Sequence, residues 1–241
     1  MSDFRSFFVN PDNIDKKYFS LDETESHHIS SVLRLKINDN IYLIDGEGTA
    51  YKATIEKISK EKVSGKIIDV LPDFGESACK IDLAFGIIKP SRAQWAIEKS
   101  TECGASNIFP IQMDRSIKRS FNLERYKAII KSSAKQCARS IIPNINPPQS
   151  LSEWLERKID MPIIAFSQNS DINIIDLRNL LPLGCSKLSL VIGPEGGFSD
   201  REISLLKNYN SIFISLGNRR LRTESAVVSS ISIVNQLITG E

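Results

Sequence analysis

The sequence predicts an α/β protein in two parts: a small, mostly β unit over residues 1–72 and a larger domain with a parallel sheet over residues 73–241. Three observations support this prediction. The first part contains short strand-like runs joined by a glycine-containing turn. A polar, turn-rich break at 72–77 separates the two parts. In the second part, a strand, a glycine-rich loop and a helix start follow one another twice, at 188–203 and 211–226. Such a repeat indicates adjacent parallel strands whose loops share one rim.

Composition is ordinary for a soluble globular protein, since 41% of the 241 residues are hydrophobic and 25% are charged. No apolar run approaches the ~20 residues that span a membrane, and the N-terminus lacks the apolar stretch of a secretory signal. The four cysteines show no Cys-x-x-Cys spacing, so neither a disulfide framework nor a zinc site is expected. We therefore expect a cytoplasmic protein.

The β unit has few candidate site residues. The histidines of the chain, His27 and His28, lack cysteine or carboxylate partners at metal-ligand spacing. They are predicted to be structural polar residues, and no metal is expected. In chain order, the predicted elements are a helix at 28–35, strands at 41–44 and 50–55 joined by the turn 45–48, and a strand at 63–70.

The larger domain alternates predicted strands and helices. Gly104 is placed where a helix should stop. The last helix has a wide apolar face, which periodicity alone assigns either to the core or to a subunit contact. The predicted elements are strands at 80–88, 108–111, 161–167, 188–192 and 211–216, and helices at 91–103, 123–140, 152–158, from 199 onward, and 223–238.

The first glycine-rich loop, Gly193–Gly197, follows an apolar run of strand length. Its glycines let main-chain groups approach a ligand closely. Ser199 and Glu202 have capping-box spacing, and Phe198 and Ile203 are placed to form a hydrophobic staple. No Gly-Lys-Ser/Thr follows the glycines, and the spacing is not that of a dinucleotide loop. The residues therefore predict a ligand loop without fixing the ligand.

The second loop, Gly217–Arg222, carries three arginines and follows the strand at 211–216. Thr223 is predicted to be the N-cap of the last helix, and Glu224 lies in its first turn, where a carboxylate favours the helix dipole. Two such loops on one rim predict a binding site at the carboxyl ends of the strands. We call 193–197 the glycine loop and 217–222 the arginine loop.

Positive charge is concentrated between residues 85 and 145. This segment holds 11 Lys or Arg against 4 Asp or Glu, while the rest of the chain holds 20 against 25. Lys127, Lys131, Lys135 and Arg139 recur every four residues, which would place them on one face of the long helix. A solvated helix face is the common reason for such a stripe, but segregated charge is also the footprint of RNA phosphate contacts. We expect RNA contacts here.

The two loops carry a specific resemblance. Gly193-Pro194-Glu195-Gly196-Gly197-Phe198-Ser199, together with 216–226 (Leu-Gly-Asn-Arg-Arg-Leu-Arg-Thr-Glu-Ser-Ala), resembles the ribosomal RNA small-subunit methyltransferase E family of the SPOUT superfamily. The family usually has threonine at the position of Ser225. The segment from Lys89 to Gly104, which includes Arg92, Trp95 and Lys99, is also similar to a family segment. The resemblance covers almost the whole chain.

The resemblance implies a fold, a reaction and a set of site residues. The fold would be a PUA-like β-barrel over 1–72 and a SPOUT domain with a trefoil knot over 73–241, assembled as a homodimer. The reaction would be S-adenosylmethionine (SAM)-dependent methylation of N3 of a uridine in 16S ribosomal RNA of the small subunit. Arg220, Arg222 and Glu195 would be catalytic. Cofactor contacts would come from Phe166, Ile192, Gly193, Gly196, Gly197, Ser215, Leu216, Gly217, Leu221, Arg222 and Ala226. RNA contacts would come from Arg34, Lys89, Arg92, Arg115, Lys118, Arg119, Lys131, Lys135 and Arg139.

Two rival functions stay open at the level of sequence. One is a methyltransferase acting on a ribose 2′-hydroxyl of RNA. The other is a non-catalytic RNA-binding assembly factor that has lost the site, although the intact glycines of the glycine loop argue against it. A plain nucleotide-binding module would leave the segregated basic charge unexplained.

Overall fold

The structure, a computed structural model, describes residues 5–117, 121–158, 161–182 and 184–239. The chain forms two compact units. One comprises the residues up to Glu76 together with Lys131–Ile142, and the other comprises Ser77–Ile130 together with the residues from Pro143 onward.

The first unit contains a six-stranded sheet in the order β1-β4-β5-β6-β3-β2, in which β1 is parallel to β4 and the other pairs are antiparallel. The predicted turn at 45–48 is present because the Asp45 carboxylate accepts the N–H groups of Glu47, Gly48 and Thr49. The strands are β1 (Ser6–Phe8), β2 (Ile14–Asp15), β3 (Tyr18–Ser20), β4 (Asn40–Ile44), β5 (Thr49–Ile58) and β6 (Val63–Pro72), with helix α1 at Glu23–His27 and a π-helical turn at His28–Leu33.

The second unit contains a parallel sheet in the order β10-β8-β7-β12-β11-β13, with β9 pairing with β8. The predicted α/β fold with a parallel sheet is therefore confirmed. Its strands are β7 (Lys80–Gly86), β8 (Ala105–Gln112), β9 (Asn144–Ile145), β10 (Gln149–Ser150), β11 (Ile163–Phe166), β12 (Lys187–Ile192) and β13 (Ile212–Ile214). Its helices are α2 (Pro90–Glu102), α3 (Leu123–Cys137), α4 (Leu151–Leu155), α5 (Leu177–Leu180), α6 (Asp200–Asn208) and α7 (Thr223–Thr239), of which α3 continues into the first unit.

The strands before the two ligand loops are not adjacent, which corrects the prediction. Strand β11 lies between β12 and β13 and pairs with both. All four residues of β11 are apolar and buried, as a central strand covered on both faces requires, whereas β13 is only partly buried at the sheet edge. Because all these strands are parallel, their carboxyl ends still share one edge of the sheet.

The long helix is shorter than predicted and ends at Cys137. Ala138 has a φ of +58°, a left-handed conformation that ends a helix. Arg139 therefore lies outside the helix and does not continue the stripe of lysines. In the first unit, Ala134 packs against Phe8 and Ile44.

No helix in the described ranges is both long and apolar enough to cross a membrane.

Candidate functional site

A cavity of about 310 Å³ lies at the carboxyl edge of the parallel sheet. Three loops form its walls: the segment after β11 (166–169), the glycine loop after β12, and the arginine loop after β13. The first turn of α7 completes the wall through Thr223 and Ala226. This is where open α/β sheets place ligands, and the volume lies at the lower end of the ~300–1,000 Å³ of small-molecule sites. We call it the first cavity.

The glycine loop is shaped by backbone packing that excludes side chains. Gly197 has a φ of +71°, and its N–H donates to Pro194 O at 2.8 Å, which closes a tight turn. A Cβ on Gly193 would lie 3.2 Å from the backbone of Gly197 and 3.3 Å from Phe198 N. A side chain at position 193 would therefore push the two ends of the loop apart.

Helix α7 is attached to the glycine loop through Thr223. Thr223 was predicted to be the N-cap of this helix, and the structure corrects that prediction. The helix begins at Thr223, and Arg222 O accepts its first helical hydrogen bond, from Ala226 N at 2.9 Å. The Thr223 hydroxyl instead donates to Gly193 O at 3.0 Å, and both groups are buried. This bond holds the two ligand loops in a fixed relation.

Helix α6 fixes the other end of the glycine loop, and its predicted start is confirmed. Ser199 accepts from Glu202 N, while the Glu202 carboxylate accepts from Ser199 N at 2.8 Å. Phe198 and Ile203 pack into one apolar cluster, as the staple predicted. Glu202 also accepts from Asp114 N at 2.8 Å, so the capping box ties the loop after β8 to this edge of the sheet.

Arg115, predicted to bind RNA, contacts the glycine loop. Its guanidinium donates to Gly196 O at 2.7 Å. Its side-chain carbons would lie 3.1 Å from a Cβ added to Gly196. Arg115 is exposed and lines the first cavity. No local sequence pattern predicts this contact, because the two residues are 81 positions apart.

Ser215, predicted to bind the cofactor, supports the arginine loop from behind. Its N–H donates to Ile172 O at 2.8 Å and its C=O accepts from Ile174 N at 3.1 Å. Its hydroxyl accepts from Gly217 N at 3.2 Å. The residues lining the first cavity do not include Ser215.

The predicted catalytic residues are divided between two neighbouring cavities. Glu195 and Arg220 line the first cavity, where Arg220 donates to Glu195 O at 3.2 Å. Arg222 lines a second cavity, of about 550 Å³, which shares Arg220 and Leu221 with the first. The other residues of this second cavity are Ser91, Arg92, Trp95, Glu224 and Ser225.

Arg92 connects the two cavities electrostatically. Its guanidinium forms an ion pair with Glu195 at 2.8 Å, and its Nε lies 3.7 Å from Glu224 Oε1. Arg92 was predicted to contact RNA, but the structure engages it with two carboxylates of the site.

Nine of the predicted cofactor residues meet in the first cavity, and Ser215 and Arg222 do not line it. The nine are Phe166, Ile192, Gly193, Gly196, Gly197, Leu216, Gly217, Leu221 and Ala226. Sequence reasoning did not assign Ser167, Gln168, Asn169 and Arg219, which also line it. Arg219 lies in the arginine loop, which the sequence had already singled out, so its position in that loop was the available signal.

The predicted RNA-contacting residues are placed very differently from one another. Arg139 is only 3% exposed and pairs with Glu76 at 2.6 Å, so it is not presented to a phosphate, and this prediction is corrected. Lys135 pairs with Glu25 at 2.8 Å. Arg34, Lys89 and Lys131 are exposed. Lys118 and Arg119 lie outside the described residues.

Within the described ranges, no group of three or more His, Cys, Asp or Glu side chains could hold a metal ion.

Comparison with known proteins places this architecture in a class. Residues 75–235 match the family model of the RNA methyltransferase domain, and residues 21–68 match that of the RNA methyltransferase PUA domain. The parallel domain with its rim of loops is therefore that of an RNA methyltransferase, preceded by the predicted PUA-like unit.

A relative from Bacillus subtilis, ribosomal RNA small subunit methyltransferase E, is 32% identical over 92% of this chain and 93% of its own length. The chain thus belongs to the ribosomal RNA small subunit methyltransferase E family. A solved structure of that methyltransferase from Neisseria gonorrhoeae, bound to S-adenosyl methionine, is 27% identical with a TM-score of 0.82, covering 97% of this chain and 98% of the other. A methyltransferase from Legionella pneumophila, in complex with the cofactor SAM, is 29% identical with a TM-score of 0.79, covering 97% of each chain.

Proposed function

We propose that this protein methylates N3 of a uridine in 16S ribosomal RNA of the small ribosomal subunit, with SAM as the methyl donor. The observation that carries the proposal is the convergence of three loops in the first cavity, in a chain whose similar structures hold SAM. We further propose a cytoplasmic homodimer with the trefoil knot that the family resemblance implies.

The first cavity has the chemistry that SAM requires. Phe166, Ile192, Leu216 and Leu221 supply apolar walls for an adenine ring, and the glycine loop supplies main-chain polar groups. Gly193 packs against Gly197 with no room for a side chain, which would leave the main chain of the loop open to the ligand. Glu195 also lines this cavity and would place a carboxylate near the positive sulfonium.

The bound cofactor supplies an activated methyl group, so the chain's task is mainly alignment. We propose that Arg220 and Arg222 orient the target base with their guanidinium groups. These fixed positive charges would also stabilise the negative charge that develops on the base as its N3 proton passes to solvent water. Glu195, held by its ion pair with Arg92, would position the methyl donor relative to the target base.

The test is transfer of labelled methyl groups from SAM to small ribosomal subunits that lack the modification, followed by nucleoside digestion. The proposal expects label in N3-methyluridine. Label in a 2′-O-methylated nucleoside would contradict the position of methylation but not the use of SAM. No label on subunits that a known methyltransferase does modify would favour the non-catalytic alternative.

A further inference from the structure

The loop after β8 (113–117) is joined to the rim of the first cavity at several points. Asp114 N donates to the Glu202 carboxylate at 2.8 Å, and the Asp114 carboxylate accepts from the Ser199 hydroxyl at 2.6 Å. At the other end of the loop, Ile117 N donates to a carbonyl in the segment after β7 at 3.2 Å. The loop is therefore held against both the start of α6 and the end of β7.

Arg115, in this loop, explains why position 196 of the glycine loop has no side chain. Gly196 does not have a positive φ, so its backbone conformation alone does not require glycine. A Cβ at this position would instead lie 3.1 Å from both Cβ and Cδ of Arg115. The Arg115 guanidinium also donates to Gly196 O at 2.7 Å. Both the stem and the head of the arginine therefore contact the glycine loop.

The charge of Arg115 is not neutralised by a carboxylate of the described residues. Arg92 and Arg139 pair with carboxylates at 2.8 and 2.6 Å, whereas no carboxylate in the described ranges lies within 4 Å of Arg115. Arg115 is exposed, and the hydrogen bond described for it is the one to Gly196 O. A guanidinium carries five N–H donors, so several remain for an anionic ligand.

From these observations we infer that Arg115 is a positioning residue that couples RNA binding to SAM binding. One guanidinium nitrogen holds Gly196 of the glycine loop, and the remaining donors bind a phosphate of the RNA backbone. Guanidinium groups bind phosphates through two parallel N–H bonds, which fixes their orientation. This inference rests on the proposed function, because it requires both SAM and RNA to be ligands.

The coupling has a physical cause in the ordering of an exposed side chain. Fixing a long arginine side chain costs conformational entropy. Once a phosphate has fixed the guanidinium, the glycine loop is held in its SAM-binding shape without that cost being met a second time. Because coupling between two binding sites is reciprocal, SAM should tighten RNA binding by the same factor.

Equilibrium dialysis of labelled S-adenosylhomocysteine measures the coupling without methyl transfer. This product of the reaction lacks the reactive methyl group, so it can be titrated alongside unmodified RNA. Its affinity for the wild-type chain is compared in the absence and presence of saturating small ribosomal subunits that lack the modification. We expect the subunits to tighten its binding about tenfold, within the usual range for coupled sites.

Variants of Arg115 separate the bridge from the charge. Arg115→Ala should bind S-adenosylhomocysteine with the same affinity whether or not subunits are present. Arg115→Lys keeps the charge, but its ammonium lacks the planar fork that holds a carbonyl and a phosphate together, so most of the tightening should be lost. Arg178→Ala removes an exposed arginine that lines neither cavity, and it should keep the full tightening.

A double-mutant cycle tests the packing of Arg115 on Gly196. Gly196→Ala should weaken binding of S-adenosylhomocysteine to the otherwise wild-type chain, because the new Cβ meets Arg115 Cδ at 3.1 Å. Arg115→Ala removes that Cδ, so the same change at position 196 should then cost at least about twofold less in affinity. Equal losses in the two backgrounds would show that Arg115 does not shape the glycine loop.

Several results would overturn the inference. Subunits that leave S-adenosylhomocysteine binding to the wild type unchanged would contradict the coupling, and so would full tightening in Arg115→Ala. Full tightening in Arg115→Lys would assign the effect to charge alone and contradict the bridge. If the wild type neither binds SAM nor methylates RNA, the proposed function fails and the inference falls with it. A wild type that methylates N3 of uridine while one of the contrary results is obtained contradicts the role of Arg115 alone.

Discussion

At the scale of single residues, the first cavity depends on backbone groups that a few buried contacts hold in place. The Thr223 hydroxyl bonds to Gly193 O, and Gly193 packs against the backbone of Gly197. Neither residue contributes reactive chemistry. Their effect is to fix where the main-chain groups of the glycine loop point, and alignment of that kind is the main requirement for methyl transfer.

Gly193→Ala should weaken SAM binding by about tenfold, or about 1.4 kcal/mol, with little change in thermal stability. The new Cβ would meet backbone atoms of Gly197 at 3.2 Å, so the two ends of the loop must move apart slightly. Calorimetric titration of SAM measures the change. Gly184→Ala is the control outside the cavity: nothing lies within 4 Å of its added Cβ, but the φ of +73° makes alanine there lower stability, while SAM affinity should stay unchanged. Equal SAM affinities for the wild type and Gly193→Ala would contradict the described packing.

Thr223→Val should lower the free energy of unfolding by about 1–2 kcal/mol, because Gly193 O loses a buried donor while the side-chain shape is kept. Thr223→Ser retains the hydroxyl and should recover most of the loss. Urea denaturation provides the comparison. A valine variant as stable as the wild type would show that the hydroxyl does not tie α7 to the glycine loop.

At the scale of elements, helix starts position the loops around the cavity. The capping box of α6 joins three segments through one carboxylate, since Glu202 accepts from Ser199 N and from Asp114 N. Glu202 is 2% exposed. A single side chain therefore fixes both the end of the glycine loop and the loop after β8.

Glu202→Ala should lower the free energy of unfolding by about 1–3 kcal/mol, because it removes a cap and leaves the Asp114 N–H without its acceptor. Glu202→Gln keeps an acceptor and should cost less. Denaturation curves for the three proteins test this order. If alanine and glutamine variants were equally stable, the hydrogen bonds would not be the cause.

The elements also show what the sequence can predict. The capping box at 199–202 was predictable because its partners are three residues apart, and the glycine turn at 45–48 was predictable for the same reason. The insertion of β11 between β12 and β13 was not, since it depends on which apolar strand is buried on both faces. The partner of the Thr223 hydroxyl lies 30 residues earlier in the chain, and the partner of Arg115 lies 81 residues later. No local sequence pattern could predict these two hydrogen bonds.

At the scale of the whole molecule, much of the concentrated positive charge is paired within the chain. Carboxylates engage Arg92, Lys99, Lys127, Lys135 and Arg139. Counting charges along the chain shows that the segment 85–145 is positively charged, but it cannot reveal these ion pairs. Exposed members such as Lys89 are the better candidates for RNA phosphate contacts.

Lys89→Ala should weaken RNA binding and reduce the slope of log affinity against log salt concentration by about one, with stability unchanged. Arg139→Ala removes the same charge but should instead destabilise the fold by about 3–5 kcal/mol, because it leaves buried Glu76 without its ion-pair partner. Filter binding at several salt concentrations and urea denaturation distinguish the two effects. Similar behaviour of both variants would contradict the assignment.

The most direct test of the account is titration of SAM into the wild-type chain in the absence of RNA. We predict saturable binding of one SAM per chain, weakened by Gly193→Ala. A folded chain that gives no saturable SAM binding, or one whose SAM affinity Gly193→Ala leaves unchanged, would contradict the assignment of the first cavity as the site of the methyl donor.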